Sequence, residues 1–305
     1  MPLTVTFLGT SGAIPSTERN TSSLAITREG ETLLFDCGEG TQRQIMRFEV
    51  GLGFSEVFFT HFHADHYLGI VGLVRTMGIL DRKDGITLYG PKGARKILGD
   101  VLKAGLEKNK FPVEIVELKP GDALKRKDYT LATYPTSHRA ETIGFALVEH
   151  PRPGRFDVDK ARAMGIPEGP LFGRLQKGET VTLPDGRTIA SKELVGSARP
   201  GRKVLYTGDT RPVAAVRDAA DGADLLIHEA TFAEDEKARA DETGHTTARQ
   251  AAELAKAAGA LRLVLTHVSV RYAYDVSGLL AEAREVFPET VVAKDGMKIE
   301  VPYRE

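Results

Sequence analysis

His61-Phe62-His63-Ala64-Asp65-His66 places three imidazoles and one carboxylate in six residues, immediately after the apolar strand candidate Val57–Phe59. In an extended stretch the side chains at i and i+2 share a face, so His61 and His63 can address one metal ion. Asp65 and His66, beyond the turn of the chain, can address a second. Imidazole and carboxylate donors suit borderline metals such as zinc. A lone histidine is more often structural, but four donors packed this densely seldom arise without a metal.

Working outward, further donors stand in matching contexts. His138 follows the strand candidate Tyr129–Tyr134, Asp209 follows Val204–Tyr206 within Thr207-Gly208-Asp209-Thr210, and His267 follows Leu261–Leu265. Each lies just past a strand, where loops from a sheet edge converge. A Gly-Asp turn or a single His is weak evidence alone. Together with the dense segment they make seven donors, enough for two metals sharing a carboxylate.

The remaining pattern is mixed. Leu3–Leu8, Ser22–Thr27, Thr32–Phe35, Ile86–Leu88, Val113–Val116, Ile143–Val148, Leu225–Ile227 and Val291–Val292 read as strands, the second and third joined by the turn Arg28-Glu29-Gly30. Gly38–Phe48, Ala94–Ala104, Val213–Ala219, Thr246–Ala258 and Ser277–Val286 read as helices, with Gly259 a C-cap candidate. Two halves, each mixing strand pairs with helices, predict an α/β fold with two sheets face to face and helices outside.

Composition sets the bounds. The 305 residues carry 41 Lys plus Arg against 42 Asp plus Glu, a formal charge of −1 that excludes a uniformly basic nucleic-acid binder. A single cysteine, Cys37, excludes an internal disulfide framework and reads as a packed small hydrophobe. The start, MPLTVTFLGTSG, lacks the basic and apolar regions of a secretory signal, and no apolar run is long enough to span a membrane. A cytoplasmic location is the expectation.

Residues 151–203 stand apart, with six of the fifteen prolines, eight of the 31 glycines and little periodicity beyond Val158–Met164. Such punctuation marks an inserted flexible arm in an otherwise single domain spanning 1–305. The arm holds 11 Lys plus Arg and six Asp plus Glu, a net of +5 that leaves −6 for the rest. The near-neutral total therefore conceals a basic segment able to gather phosphates locally.

At this point the chain resembles the metallo-β-lactamase superfamily, which implies a four-layer αββα sandwich. It further resembles the ribonuclease Z family, through Phe7-Leu8-Gly9-Thr10-Ser11-Gly12 leading to Pro15 and Arg19-Asn20, His228-Glu229-Ala230-Thr231, and Gly244-His245-Thr246-Thr247. Within the arm, Gly165-Ile166-Pro167 and Gly169-Pro170-Leu171-Phe172-Gly173 resemble that family's tRNA-gripping exosite.

The resemblance implies an endoribonuclease that removes the 3′ trailer from precursor tRNA. It implies two zinc ions per subunit: His61, His63 and His138 on one, Asp65, His66 and His267 on the other, and Asp209 bridging. Asp65 would orient or deprotonate the attacking water, and His245, held by Glu229, would be the general acid. A homodimer, in which one subunit's arm presents tRNA to the other's site, is also implied. The donor set equally suits manganese or iron.

Bland readings compete for the second pair. Thr246 or Thr247 could be a helix N-cap, and Glu229 could orient a metal ligand. Thr17 takes a position that is commonly Lys in the family, which leaves rejection of CCA-ended tRNA open, while Arg19 remains able to pair with a phosphate. Gly9 and Gly12 could suggest a phosphate cradle, but the Walker lysine is missing. Another hydrolase of the same fold, acting on sulfate esters, thioesters or lactones, would share the metal site, and only the arm and the two shorter motifs separate it. A non-catalytic RNA scaffold is disfavoured by the complete donor set.

Overall fold

A computed structural model describes residues 2–104 and 108–304. These fall into two compact units, one drawn from Met1–Val148 with Lys203–Pro302, the other from Glu149–Arg202 with Tyr303–Glu305.

The first unit holds two seven-stranded sheets. One is built from β1 (Leu3–Gly9), β2 (Ser23–Arg28), β3 (Glu31–Phe35), β4 (Glu56–Phe58), β5 (Ile86–Gly90) and β6 (Val113–Glu117). The other contains β7 (Ala123–Lys125), β8 (Tyr129–Pro135), β9 (Ile143–Glu149), β10 (Lys203–Tyr206), β11 (Leu225–Glu229), β12 (Leu263–Thr266) and β13 (Thr290–Val292). The last strand, β14 (Lys298–Glu300), returns to the first sheet, giving the orders β14-β1-β2-β3-β4-β5-β6 and β13-β12-β11-β10-β9-β8-β7.

The strand sequences explain the layering. Leu3, Val5 and Phe7 of β1, Leu24 and Ile26 of β2, and Leu33 and Phe35 of β3 share one core with Leu225, Ile227 and Val264 of the other sheet. The intervening Ala25, Leu34 and Leu8 pack instead with helical residues such as Ile70, Leu73 and Leu98. Across the molecule, Leu226, Leu263 and Leu265 pack against Ala248, Ala251, Ala252 and Leu279. Alternate residues thus serve two apolar layers, so these strands read as nearly unbroken hydrophobic runs. The result is the αββα sandwich.

Strands β3 to β6 run parallel, as do β10 to β13. Parallel neighbours need crossovers, and helices supply them: α1 (Thr41–Arg47), α2 (Ala64–Tyr67), α3 (Ile70–Ile79) and α4 (Ala94–Val101) in the first half. The C-terminal ends of β4, β10, β11 and β12 therefore open into loops on a common side, where α/β sheets bind ligands.

Boundaries shift from the sequence reading at several places. The Val57–Phe59 strand lies one residue earlier, Leu261–Leu265 starts at Leu263, Gly38–Phe48 narrows to Thr41–Arg47, and Ala94–Ala104 stops at Val101. The helix expected over Thr246–Ala258 is Ala248–Ala257, because Thr247 is its N-cap: Thr247 Oγ1 accepts from Gln250 N at 3.2 Å.

The second unit carries regular structure that its weak periodicity hid. Two helices, α5 (Val158–Ala163) and α6 (Pro170–Gln176), and the hairpin Val181–Thr182/Thr188–Ile189 surround a small core that includes Ala161, Ile166, Leu175, Val181 and Ile189. Gly169 sits at φ 136°, ψ −143°, a conformation open to glycine alone, and Pro170 then fixes the first helical residue of α6. In the same unit Arg202 and Glu149 form a buried ion pair at 2.6 Å, and the Arg152 and Arg202 guanidinium groups lie 3.5 and 3.9 Å from the Tyr303 ring centre.

Candidate active site

All seven expected donors meet at the loop side of the sheets. His61 and His63 follow β4, with His63 in extended conformation as the N-cap of α2. Asp65 and His66 are on α2 itself, a single helical turn, rather than on a simple turn of chain. His138, Asp209 and His267 follow β8, β10 and β12.

The seven donors form two groups, His61, His63, His138 and Asp209, and Asp65, His66 and His267, and a third grouping of Asp209, His245 and His267 overlaps them. In the first, His63 Nδ1 stands 3.1 Å from both His61 Nε2 and His138 Nε2, and Asp209 Oδ2 lies 3.6 and 3.8 Å from those two nitrogens. In the second, His267 Nε2 is 3.3 Å from Asp65 Oδ2 and from Asp209 Oδ1, and His66 Nε2 is 3.5 and 3.3 Å from the same oxygens. Donors held tetrahedrally at zinc-like bond lengths are separated by about 3.3 Å. The observed spacings fit, and Asp209 offers one oxygen to each group.

The outer edge of four of the five donor rings is fixed. His66 Nδ1 donates to Asp36 Oδ2 at 2.8 Å, His138 Nδ1 to the Gly244 carbonyl at 2.8 Å, His267 Nδ1 to Thr231 Oγ1 at 2.8 Å, and His61 Nδ1 to Thr60 Oγ1 at 3.1 Å. In these four rings the network holds Nδ1 outward and turns Nε2 toward the centre of the cluster, where His63 presents Nδ1. Two inward atoms, His66 Nε2 and Asp209 Oδ1, are buried with no hydrogen-bond partner. Such orphaned atoms are costly unless a cation satisfies them. The residues therefore fit a pair of metal ions.

Electrostatics support the same reading. Burial would raise the Asp209 carboxyl, but the rings of His267, His66 and His61 outweigh it and hold it well below the usual range. Asp65 is likewise held low: burial opposes ionisation, His66 and His267 favour it, and the Ala13 amide donates to Asp65 Oδ2 at 2.8 Å.

Glu229, at the end of β11, is wholly buried and organises the flank of this cluster. It accepts from Thr210 N at 2.8 Å, Thr231 Oγ1 at 2.7 Å, Thr246 N at 3.2 Å and His245 Nδ1 at 2.9 Å. Through Thr231 it steadies His267, so one carboxylate serves both a donor and His245. Burial would lower the His245 imidazole, but Glu229 and Asp209 outweigh it and push it up to about 9. The His245 ring stacks on His267 with centroids 5.3 Å apart.

Four other residues singled out in the sequence have defined surroundings. Arg19 is a correction: it is buried, with Nη1 donating to Thr10 Oγ1 and the Ala293 carbonyl at 2.7 Å each, so its charge braces the core instead of meeting a phosphate. Gly12 is needed for close approach, since a Cβ there would lie 2.8 Å from His267 ring atoms. Cys37 is fully buried, and burial pushes its thiol up, as for a packed hydrophobe. Thr17 contacts the exposed Tyr274, their hydroxyls 3.3 Å apart.

Sequence reasoning missed Asp36, Thr60 and Tyr206. Asp36 accepts from Thr60 N and from Tyr206 Oη at 2.8 Å each, as well as from His66. Its one sequence signal was Phe35-Asp36-Cys37-Gly38, a charged residue closing an apolar strand.

Comparison with known proteins places this geometry. A model described as the anti-Pycsar protein Apyc1 matches residues 3–151, and a beta-lactamase superfamily domain matches residues 187–268. Ribonuclease Z of Gemmatimonas aurantiaca is 54% identical over 100% of this chain and 98% of its own. Its counterpart in Myxococcus xanthus is 53% identical over 99% of both chains. The crystal structure of human tRNase Z, short form, is 29% identical, covers 98% of this chain and 99% of that one, and superposes with a TM-score of 0.72. A chain with this identity over its full length, on this fold, belongs to the ribonuclease Z family of the metallo-β-lactamase superfamily.

Proposed function

We infer that this protein is a metal-dependent endoribonuclease that removes the 3′ trailer from precursor tRNA, leaving a 3′-hydroxyl on the tRNA and a 5′-phosphate on the trailer. The observation that carries the reading is the pairing of a seven-donor cluster, joined through Asp209, with the Glu229–His245 pair at its edge. Two zinc ions per subunit are the proposed complement, with His61, His63 and His138 holding one, Asp65, His66 and His267 the other, and Asp209 both. When bound, such a pair activates water and neutralises charge on a phosphodiester in line with the leaving oxygen.

The chain's own groups supply the rest. Asp65, anchored by the Ala13 amide, orients the water and accepts its proton. His245, charged at neutral pH through Glu229, stands ready to give a proton to the departing ribose 3′ oxygen. The cation-rich unit around Gly169 and Pro170 is proposed to hold the tRNA body, in a cytoplasmic homodimer. A sedimenting mass of one chain would contradict the dimer.

The test is cleavage of a 3′-extended precursor tRNA by native, chelated and His245→Asn protein. Chelation should abolish cutting. His245→Asn should retain the metals yet lower kcat by about 100-fold or more, the range for a lost general acid. Full activity in either case would contradict the assignment.

A further inference from the structure

Arg139 and Arg211, like Arg43, Arg95 and Arg239 of the same unit, form no ion pair with a carboxylate among the described residues, but they flank donor residues of the cluster. Arg217, Arg249 and Arg271 all form ion pairs with Asp218, Glu285 and Glu236. Arg139 Nη2 donates to the Glu242 carbonyl, and Arg211 Nη2 to the Asp241 carbonyl at 3.4 Å. The Asp241 carboxylate is already taken by Lys237 at 2.6 Å.

Both arginines stand beside the donor cluster. Arg139 directly follows His138, and Arg211 is two residues beyond Asp209. Arg211 N donates to Ser137 O at 2.7 Å, joining the two donor-bearing loops. A Cβ built on Gly244 would lie 3.2 Å from both Arg211 Nη1 and His138 Nδ1, so guanidinium and imidazole flank the same point.

The Glu242 and Asp241 carbonyls lie in the last turn of the helix Lys237–Thr243, so capping alone could account for these contacts. Capping uses one of five donors per guanidinium, however, and needs no concentration of charge. Outside residues 151–203 the chain has 30 basic and 36 acidic residues, a body that repels RNA. Two cations without a carboxylate partner, on the loops that carry His138 and Asp209, oppose that repulsion beside the donor cluster.

We propose that Arg139 and Arg211 bind phosphate oxygens of the RNA strand next to the scissile bond, guiding it onto the donor cluster. The inference rests on the proposed RNA substrate. It is tested by anisotropy of labelled precursor tRNA on chelated full-length protein between 50 and 200 mM KCl. The Arg139→Gln/Arg211→Gln variant should bind on the order of 5- to 10-fold more weakly, with the slope of log Kd against log salt reduced by about 1 to 2. The Arg139→Lys/Arg211→Lys variant should recover most of the slope, because the charge remains. A slope unchanged in the Gln variant, with only a lowered Tm, would overturn the proposal in favour of helix capping. Native holoenzyme that fails to cut the same RNA would instead count against the proposed function, whatever the slopes.

Discussion

The density of donors between His61 and His66 made the donor cluster legible from sequence, because extended and helical spacings each place two donors on one side. Asp36 was not legible. It lies 30 residues from His66 and reaches it only because β3 pairs with β4 through Phe35 and Phe58. That pairing gives a concrete expectation. Asp36→Asn keeps the shape but replaces a carboxylate that accepts from His66, Thr60 and Tyr206. Metal affinity should fall by about 10- to 100-fold, the usual cost of losing such a partner. Competition against a chromophoric chelator measures it, and affinity within threefold of the native value would show that Asp36 does not tune His66.

At the level of elements, strands facing two apolar layers announced themselves, whereas short or atypical elements did not. Helix α3, Ile-Val-Gly-Leu-Val-Arg-Thr-Met-Gly-Ile, is rich in β-branched residues and glycine, and its burial overrides weak propensity. Strand β14 has only three residues and exists through its pairing with β1. In residues 151–203 residues outside helices and strands outnumber those within them, so apart from the periodic stretch Val158–Met164 the small core escaped the sequence pattern. The register suggests a clean excision: Val148 pairs with Lys203 across β9 and β10, so an Asn-Gly turn can close the sheet in place of the insert. The excised protein should still hydrolyse a small phosphodiester while its KM for precursor tRNA rises by about 10-fold or more, as expected when several phosphate contacts are lost. Unchanged KM for tRNA would show that the insert does not bind it.

For the whole molecule, a formal charge of −1 is the sum of an acidic catalytic body and a basic insert. The division suits an enzyme whose large anionic substrate is gathered by one part and cut by another. It also explains why net charge alone excluded so little. The most direct measurement is incubation with a 3′-extended precursor tRNA, with and without encoded CCA, followed by mapping of both new ends. A single metal-dependent cut after the discriminator base, with a 3′-hydroxyl on the tRNA and a 5′-phosphate on the trailer, is the expected result. No cut with zinc, manganese or iron, or a product ending in a 2′,3′-cyclic phosphate, would contradict the account.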